Sequence, residues 1–245
     1  MKMLILALIL SLGLAGCSTL DRASTGAPTL PAATATPAPA QTVAGSRCGG
    51  SLEGCFAYAE MDDYLDTITP MVASFFESQY PKLSQPRIVF VPRGRAAAGV
   101  CGYSNSQAYE YCGGNQTIYI GQDLLWTFYK QAGDAAPAIG LAHEWGHHVQ
   151  FALDLPLPRT AAQSVAFENQ ADCISGAWAR YAKAQSWLED PDDLQDAGAL
   201  LQGIGSAEGP GRDHGTAAER RKAFDLSLKG GIKACDAYSP TAPIG

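Results

Sequence analysis

The chain has 245 residues, 47% of them hydrophobic and 17% charged, which suits one globular domain with a substantial core plus appended segments. Its formal net charge is −7, and its lysines and arginines form no extended run. Binding to nucleic acid requires concentrated positive charge to neutralise phosphates, so we expect no nucleic-acid partner.

The N-terminus has the pattern of an export signal. Lys2 precedes the apolar run "MLILALILSLGLAG", whose length suits a signal-peptide core and is short for a membrane span. The run ends in "LAGC", which resembles the bacterial lipoprotein box. This resemblance implies that residues 1–16 are removed and that Cys17 is lipid-modified, so that the protein is extracytoplasmic and anchored to a membrane of the bacterial cell envelope. The alternative is an ordinary signal peptide with an incidental cysteine.

Residues 17–45 are rich in alanine, threonine and proline, as in "APTLPAATATPAPAQ", and offer almost no large apolar side chain for burial. We interpret them as a disordered tether. The folded domain is predicted to occupy residues 46–240.

The remaining six cysteines are an even number, as expected for an oxidising compartment. Six cysteines allow 15 connectivities, and the sequence alone does not choose among them. The short separations favour Cys48–Cys55 and Cys101–Cys112, which leaves Cys173 with Cys235. Metal binding by these cysteines is disfavoured because no C-x-x-C spacing occurs.

In chain order, the pattern predicts a helix over 56–80, strands at 87–91 and 116–121, and a hairpin or flap between the strands. A short helix at 123–131 precedes one that Asp134 could cap and that ends near residue 154. A long helix follows over 160–187. Asp190-Pro191 opens another that extends to about residue 202. Thr216-x-x-Glu219 is a capping box for the last helix, which stops at the glycines 230–231. Helices outnumber strands, so we expect an α+β fold.

Three of the four histidines fall in the stretch "GLAHEWGHHVQ". His143 and His147 fit H-E-x-x-H, in which residues i and i+4 of a helix differ by only about 40° in direction. Their two imidazoles can then bind one Zn²⁺, and Glu144 can reach a metal-bound water as a general base.

A third ligand is available in "FENQADCISGAW". Glu168 and Asp172 are again i and i+4 on one helix face, and Glu168 would complete a His₂Glu site that keeps a position for water. Asp172 could accept the second N–H of a ligand imidazole. The alternatives are that Asp172 binds the metal instead, or that the pair forms a solvated acidic face.

The other two histidines are placed differently. His148 lies about 100° around the helix from His147, which favours a packing or supporting role. His214 lies in a glycine-rich loop and could donate a hydrogen bond to a developing oxyanion, or could simply be exposed. The strand containing Tyr119 is expected to form the sheet edge above the cleft, where an extended peptide could pair.

The chain resembles the neutral zinc metallopeptidases of bacteria, a family of the gluzincin type. The stretches "CGYSNSQAYEYC", "HEWGHHVQ", "ENQADCISGAW" and "HGTAAERRKAF", with a terminal "CDAY", carry this resemblance in the family's order. It implies a mostly helical, zincin-like domain with a small sheet beside the H-E-x-x-H helix. It also implies one zinc ion per chain on His143, His147 and Glu168, with Glu144 catalytic. His214 falls on the family's H-G-T element.

The sequence therefore favours a lipid-anchored zinc endopeptidase whose partners are a peptide or protein substrate and a membrane. A non-catalytic envelope lipoprotein with a structural or vestigial zinc site is the alternative. The sequence does not indicate an oligomeric state.

Overall fold

The computed structural model describes Cys48 and residues 51–188, 192–205 and 211–245. The predicted signal peptide (1–16), Cys17 and the tether (17–45) lie outside these described residues, as do Asp190 and Pro191. Helices predominate in the described ranges and accompany a small sheet, so the expected α+β class is confirmed. None of the helices in these ranges combines the length and the apolar character needed to cross a membrane.

The helices match the predicted segments with small shifts at their ends. The α-helices are α1 (Met61–Gln79), α2 (Gln122–Gln131), α3 (Ala136–Ala152), α4 (Ala161–Ala184), α5 (Asp193–Ile204) and α6 (Ala217–Gly230). Two 3₁₀ helices, Tyr58–Glu60 and Ile232–Tyr238, precede α1 and follow α6.

Helix α3 begins differently from the prediction. Its N-cap residue is Ala135, which makes no side-chain capping bond, so the predicted cap at Asp134 is wrong. The backbone carbonyl of Asp134 instead accepts a hydrogen bond from the hydroxyl of Tyr64, 2.5 Å away. At α6 the predicted capping box is present, because Thr216 and Glu219 bond each other's backbone N–H groups.

The strands are β1 (Arg87–Val91), β2 (Ala97–Gly99), β3 (Gly102–Ser104), β4 (Tyr109–Cys112) and β5 (Thr117–Gly121). β1, β5 and β4 form a three-stranded sheet in that order, with β1 parallel and β4 antiparallel to β5. The Tyr119 strand, β5, is therefore central, and the prediction that it forms the edge above the cleft is wrong. The strand next to α3 along that edge is β4.

The two faces of this sheet meet different partners. Ile118 and Ile120 of β5 point into the main helical core. Tyr119 points to the other face, where it packs with Val91 and Cys112. The β2–β3 hairpin is linked to β4 by the Cys101–Cys112 disulfide. The other two disulfides are Cys48–Cys55 and Cys173–Cys235, so the connectivity is the one that the spacing favoured.

Helix α3 is buried along most of its length and packs closely on α4. A Cβ atom at Gly146 would lie only 3.1 Å from the Cα of Ala171 on α4, closer than side chains normally approach. On the opposite side, the indole of Trp145 stacks on Phe76 of α1 with ring centroids 4.8 Å apart. The small residue at position 146 therefore allows the two helices to bring their facing side chains together.

Candidate metal centre

Two histidines of α3 and one glutamate of α4 converge on a common point. The Nε2 atoms of His143 and His147 lie 3.1 Å apart. Glu168 Oε2 lies 3.3 Å from His143 Nε2, and Glu168 Oε1 lies 3.5 Å from His147 Nε2. Within the described part of the chain, these three residues form a group whose ligand atoms lie close enough to hold one metal ion.

The donor atoms fit a zinc ion. With bonds of about 2.0–2.1 Å, the ligand atoms of a tetrahedral zinc site are about 3.3 Å apart. The separation of the two Nε2 atoms, and the distance from each of them to one oxygen of the Glu168 carboxylate, are close to this value. The Nδ1 atoms of His143 and His147 are hydrogen-bonded to Asp172 and Gln150, which leaves both Nε2 atoms facing the common point. Glu168 Oε2 is buried and makes no hydrogen bond. A cation at this point would satisfy all three groups.

The ionisable groups at this point shift one another's pKa values. Burial alone would lower the pKa of His143, but the carboxylates of Asp172, Glu168 and Glu144 raise it to about 10. Burial likewise opposes the ionisation of Glu168, yet the two imidazoles hold the pKa of its carboxyl well below the usual range. The carboxylates thus favour positive charge at this point, whether protons or a metal ion carry it.

Glu144 is buried beside the three convergent side chains and is 7% exposed. Its carboxylate accepts a hydrogen bond from the backbone N–H of Tyr111 in the edge strand β4. Burial raises the pKa of Glu144, and the imidazoles of His143 and His147 offset only part of that rise. A carboxylate with a raised pKa can take a proton and later release it.

Asp172 supports His143. Its Oδ1 lies 2.9 Å from His143 Nδ1 and also accepts a 2.9 Å hydrogen bond from the guanidinium of Arg220. Both charged partners of this pair are almost fully buried. Asp172 therefore faces the far nitrogen of the imidazole, as one of the three sequence interpretations predicts.

His214 reaches the rim of the cluster from the loop before α6. Its Nε2 lies 3.5 Å from Glu168 Oε2, and its side chain is 43% exposed. Arg212 holds this loop in place by donating to the carbonyl of His214 and pairing with Glu219 in the α6 capping box.

Comparison with known proteins identifies the family. A sequence model described as "Putative neutral zinc metallopeptidase" matches residues 32–238. The chain belongs to this family of zinc metallopeptidases. No solved structure matched the chain significantly.

Two relatives illustrate the similarity. An uncharacterized protein of Mycobacterium tuberculosis strain H37Rv is 34% identical over 178 residues, which cover 60% of this chain and 60% of the relative. The uncharacterized protein YpfJ of Escherichia coli K12 is 33% identical over 193 residues, covering 66% of this chain and 65% of YpfJ. This member of the family thus spans less than two thirds of the length of each of these curated relatives.

Two buried residues that support the candidate metal centre were missed by the sequence analysis. Gln150 bonds His147, and Arg220 bonds Asp172. Both lie within the stretches that carry the family resemblance. Their positions along α3 and α6 could have indicated inward-facing side chains, but nothing in the sequence indicated which partners they meet.

His148 does not face the cluster. Its Nε2 donates to the carbonyl of Ser84 at 2.6 Å, and its Nδ1 lies 3.0 Å from the hydroxyl of Tyr111. The side chain is fully buried, and burial lowers its pKa. It therefore joins α3 to β4 and to the loop before β1.

A cavity of about 230 Å³ adjoins the candidate metal centre. Its polar side is lined by His143, Glu144, Asp172 and Arg220. The other walls are mostly apolar side chains of α2, α3 and α5. These are Leu124, Phe128, Ile139, Leu200, Leu201 and Ile204.

Proposed function

We propose that this chain is a zinc-dependent endopeptidase. The observation that carries the proposal is the convergence of two histidines and Glu168 at metal-binding distances, with the buried carboxylate of Glu144 beside them and a cavity against them. A site with three protein ligands keeps a position for solvent, which is the arrangement of catalytic rather than structural zinc. The family to which the chain belongs supports the same chemistry.

Each of the site residues has a separate role in the proposed reaction. His143, His147 and Glu168 would hold the ion, which when bound would acidify water and polarise a carbonyl group. Glu144 takes a proton from the attacking water and passes it to the leaving amine. His214, at the rim of the cluster, donates a hydrogen bond to the carbonyl oxygen as negative charge develops on it.

The outer edge of β4 offers a place for an extended peptide. The N–H of Gly121 donates to the carbonyl of Ala108, which makes these two a hydrogen-bonded pair of the antiparallel ladder. Because such pairs alternate, Tyr109 and Tyr111 direct their backbone groups away from β5. The Tyr111 N–H already meets Glu144 there. A substrate strand along this edge would pass the catalytic carboxylate, with an apolar side chain filling the adjoining cavity.

Metal removal tests the proposal. Chelation should abolish the hydrolysis of casein and of peptides with apolar residues, and one equivalent of zinc per chain should restore it. The control is magnesium, which prefers an octahedral shell of oxygen ligands and should not restore activity. If the chain binds one zinc ion tightly but hydrolyses none of these substrates, the non-catalytic lipoprotein interpretation is favoured instead.

We also propose that the protein is extracytoplasmic and that a lipid on Cys17 anchors it to a membrane of the bacterial cell envelope. The lipobox-like sequence supports this, and so do three disulfides, which persist in oxidising compartments. Cys17→Ser should move the protein from the membrane fraction to the soluble fraction without changing its zinc content. Unchanged fractionation of this variant would contradict the anchor.

A further inference from the structure

Two buried glutamines connect the metal-binding faces of α3 and α4, and neither takes part in the chemistry described above. Gln150 is 0% exposed and Gln170 is 1% exposed. Gln150 Oε1 lies 2.8 Å from His147 Nδ1. Gln150 Nε2 donates to the Phe167 carbonyl at 2.8 Å and to Gln170 Oε1 at 3.0 Å. Gln170 Nε2 in turn donates to the Cys235 carbonyl at 3.3 Å. A buried amide chain thus runs from His147 to the backbone of the C-terminal 3₁₀ helix.

The two backbone carbonyls determine the direction of every hydrogen bond that the two glutamine amides make. A carbonyl can only accept, so the amide nitrogens of Gln150 and Gln170 must face Phe167 and Cys235. Turning either amide around would place two oxygens against each other in a site without solvent, at the cost of a buried unsatisfied group. The oxygen of Gln150 is therefore the atom that faces His147.

We propose that Gln150 is a positioning residue that selects the metal-binding tautomer of His147. An amide oxygen accepts but does not donate, so the proton of the neutral imidazole is held on Nδ1 and the lone pair of Nε2 is left for the ion. Phe167, whose carbonyl binds the same amide, directly precedes the ligand Glu168. Gln150 thus also joins the backbone that carries Glu168 to the helix that carries His147.

The two histidine ligands are supported in different ways. His143 faces the carboxylate of Asp172, which is paired with the guanidinium of Arg220. His147 faces a neutral amide whose orientation is fixed by backbone carbonyls. This difference gives the proposal an internal control, because a change at Gln150 should affect His147 and leave His143 as it was.

Zinc affinity, measured by competition with a chelating dye, provides the first test. Gln150→Met keeps the length of the side chain but removes its oxygen, and should weaken zinc binding by about 10–100-fold. Gln202→Met, at an exposed position of α5, is the matched control and should bind zinc like the wild type. Equal affinities of the Gln150→Met variant and the wild type would overturn the proposal.

Nitrogen-15 NMR of the zinc-loaded wild type provides a test that needs no variant. The His147 ring should carry a slowly exchanging proton on Nδ1 and bind the ion through Nε2. Binding through Nδ1 would overturn the proposal even if the substituted proteins fail to fold. In Gln150→Met the Nδ1 proton of His147 should exchange faster while that of His143 stays protected. The inference rests on the proposed zinc site, but affinity and tautomer are measured without substrate, so it can fail or succeed independently of hydrolysis.

Discussion

Glu144→Gln is expected to retain one zinc ion per chain and to lose most peptide hydrolysis. The amide has nearly the shape of the carboxylate and can still meet the N–H of Tyr111 through its oxygen, but it cannot take a proton from water. Positioned acid–base groups contribute about 10²–10⁴-fold to rate, so kcat/KM should fall by a factor in that range. Hydrolysis of a quenched fluorescent peptide and the zinc content of the same preparation would be measured together.

Glu77→Gln is the matched control for this substitution. Glu77 lies at an exposed position on α1, and the change removes the same charge without touching the cluster. It should leave both zinc content and hydrolysis unchanged. Full activity in Glu144→Gln would remove this residue from the mechanism, while loss of zinc in that variant would show that it helps to hold the ion.

Local helix geometry explains why much of the centre was predictable. His143 and His147 share a helix face because of their spacing alone, and the same holds for Glu168 and Asp172 on the next helix. Helix spacing alone did not specify which of the two carboxylates meets the histidine Nε2 atoms, because that depends on how the two helices pack, and only the family resemblance implied Glu168. The close approach permitted at Gly146 sets that packing.

The features that the sequence predicted wrongly or not at all depend on contacts between residues far apart in sequence. β5 is central because β1 pairs with it in parallel, and nothing in either strand's local pattern specifies that pairing. The supporting roles of Gln150 and Arg220 depend on α4, which each of them meets across a helix interface. A buried glutamine or arginine in a sequence has many possible partners, and only the packed structure selects among them.

Glu168→Ala should lose zinc more severely than Asp172→Asn, which tests the division of roles between the two carboxylates. The Glu168 carboxylate lies close to both Nε2 atoms, through Oε2 to His143 and through Oε1 to His147, so its removal leaves two protein ligands. Asp172 contacts only the far nitrogen of His143, and asparagine can still accept that N–H. Loss of such a supporting contact costs about 10–100-fold in affinity, and the loss in Glu168→Ala should exceed that range.

The two variants should rank in the opposite order when their metal-free unfolding temperatures, rather than their zinc affinities, are compared. Asp172→Asn leaves the guanidinium of Arg220 buried without its charged partner, and breaking a buried ion pair in this way costs about 3–5 kcal/mol. The metal-free Asp172→Asn protein should therefore unfold at a lower temperature than metal-free Glu168→Ala, although it binds zinc more tightly. If Asp172→Asn instead loses zinc more completely than Glu168→Ala, then Asp172 is the third ligand and the assignment of Glu168 is wrong.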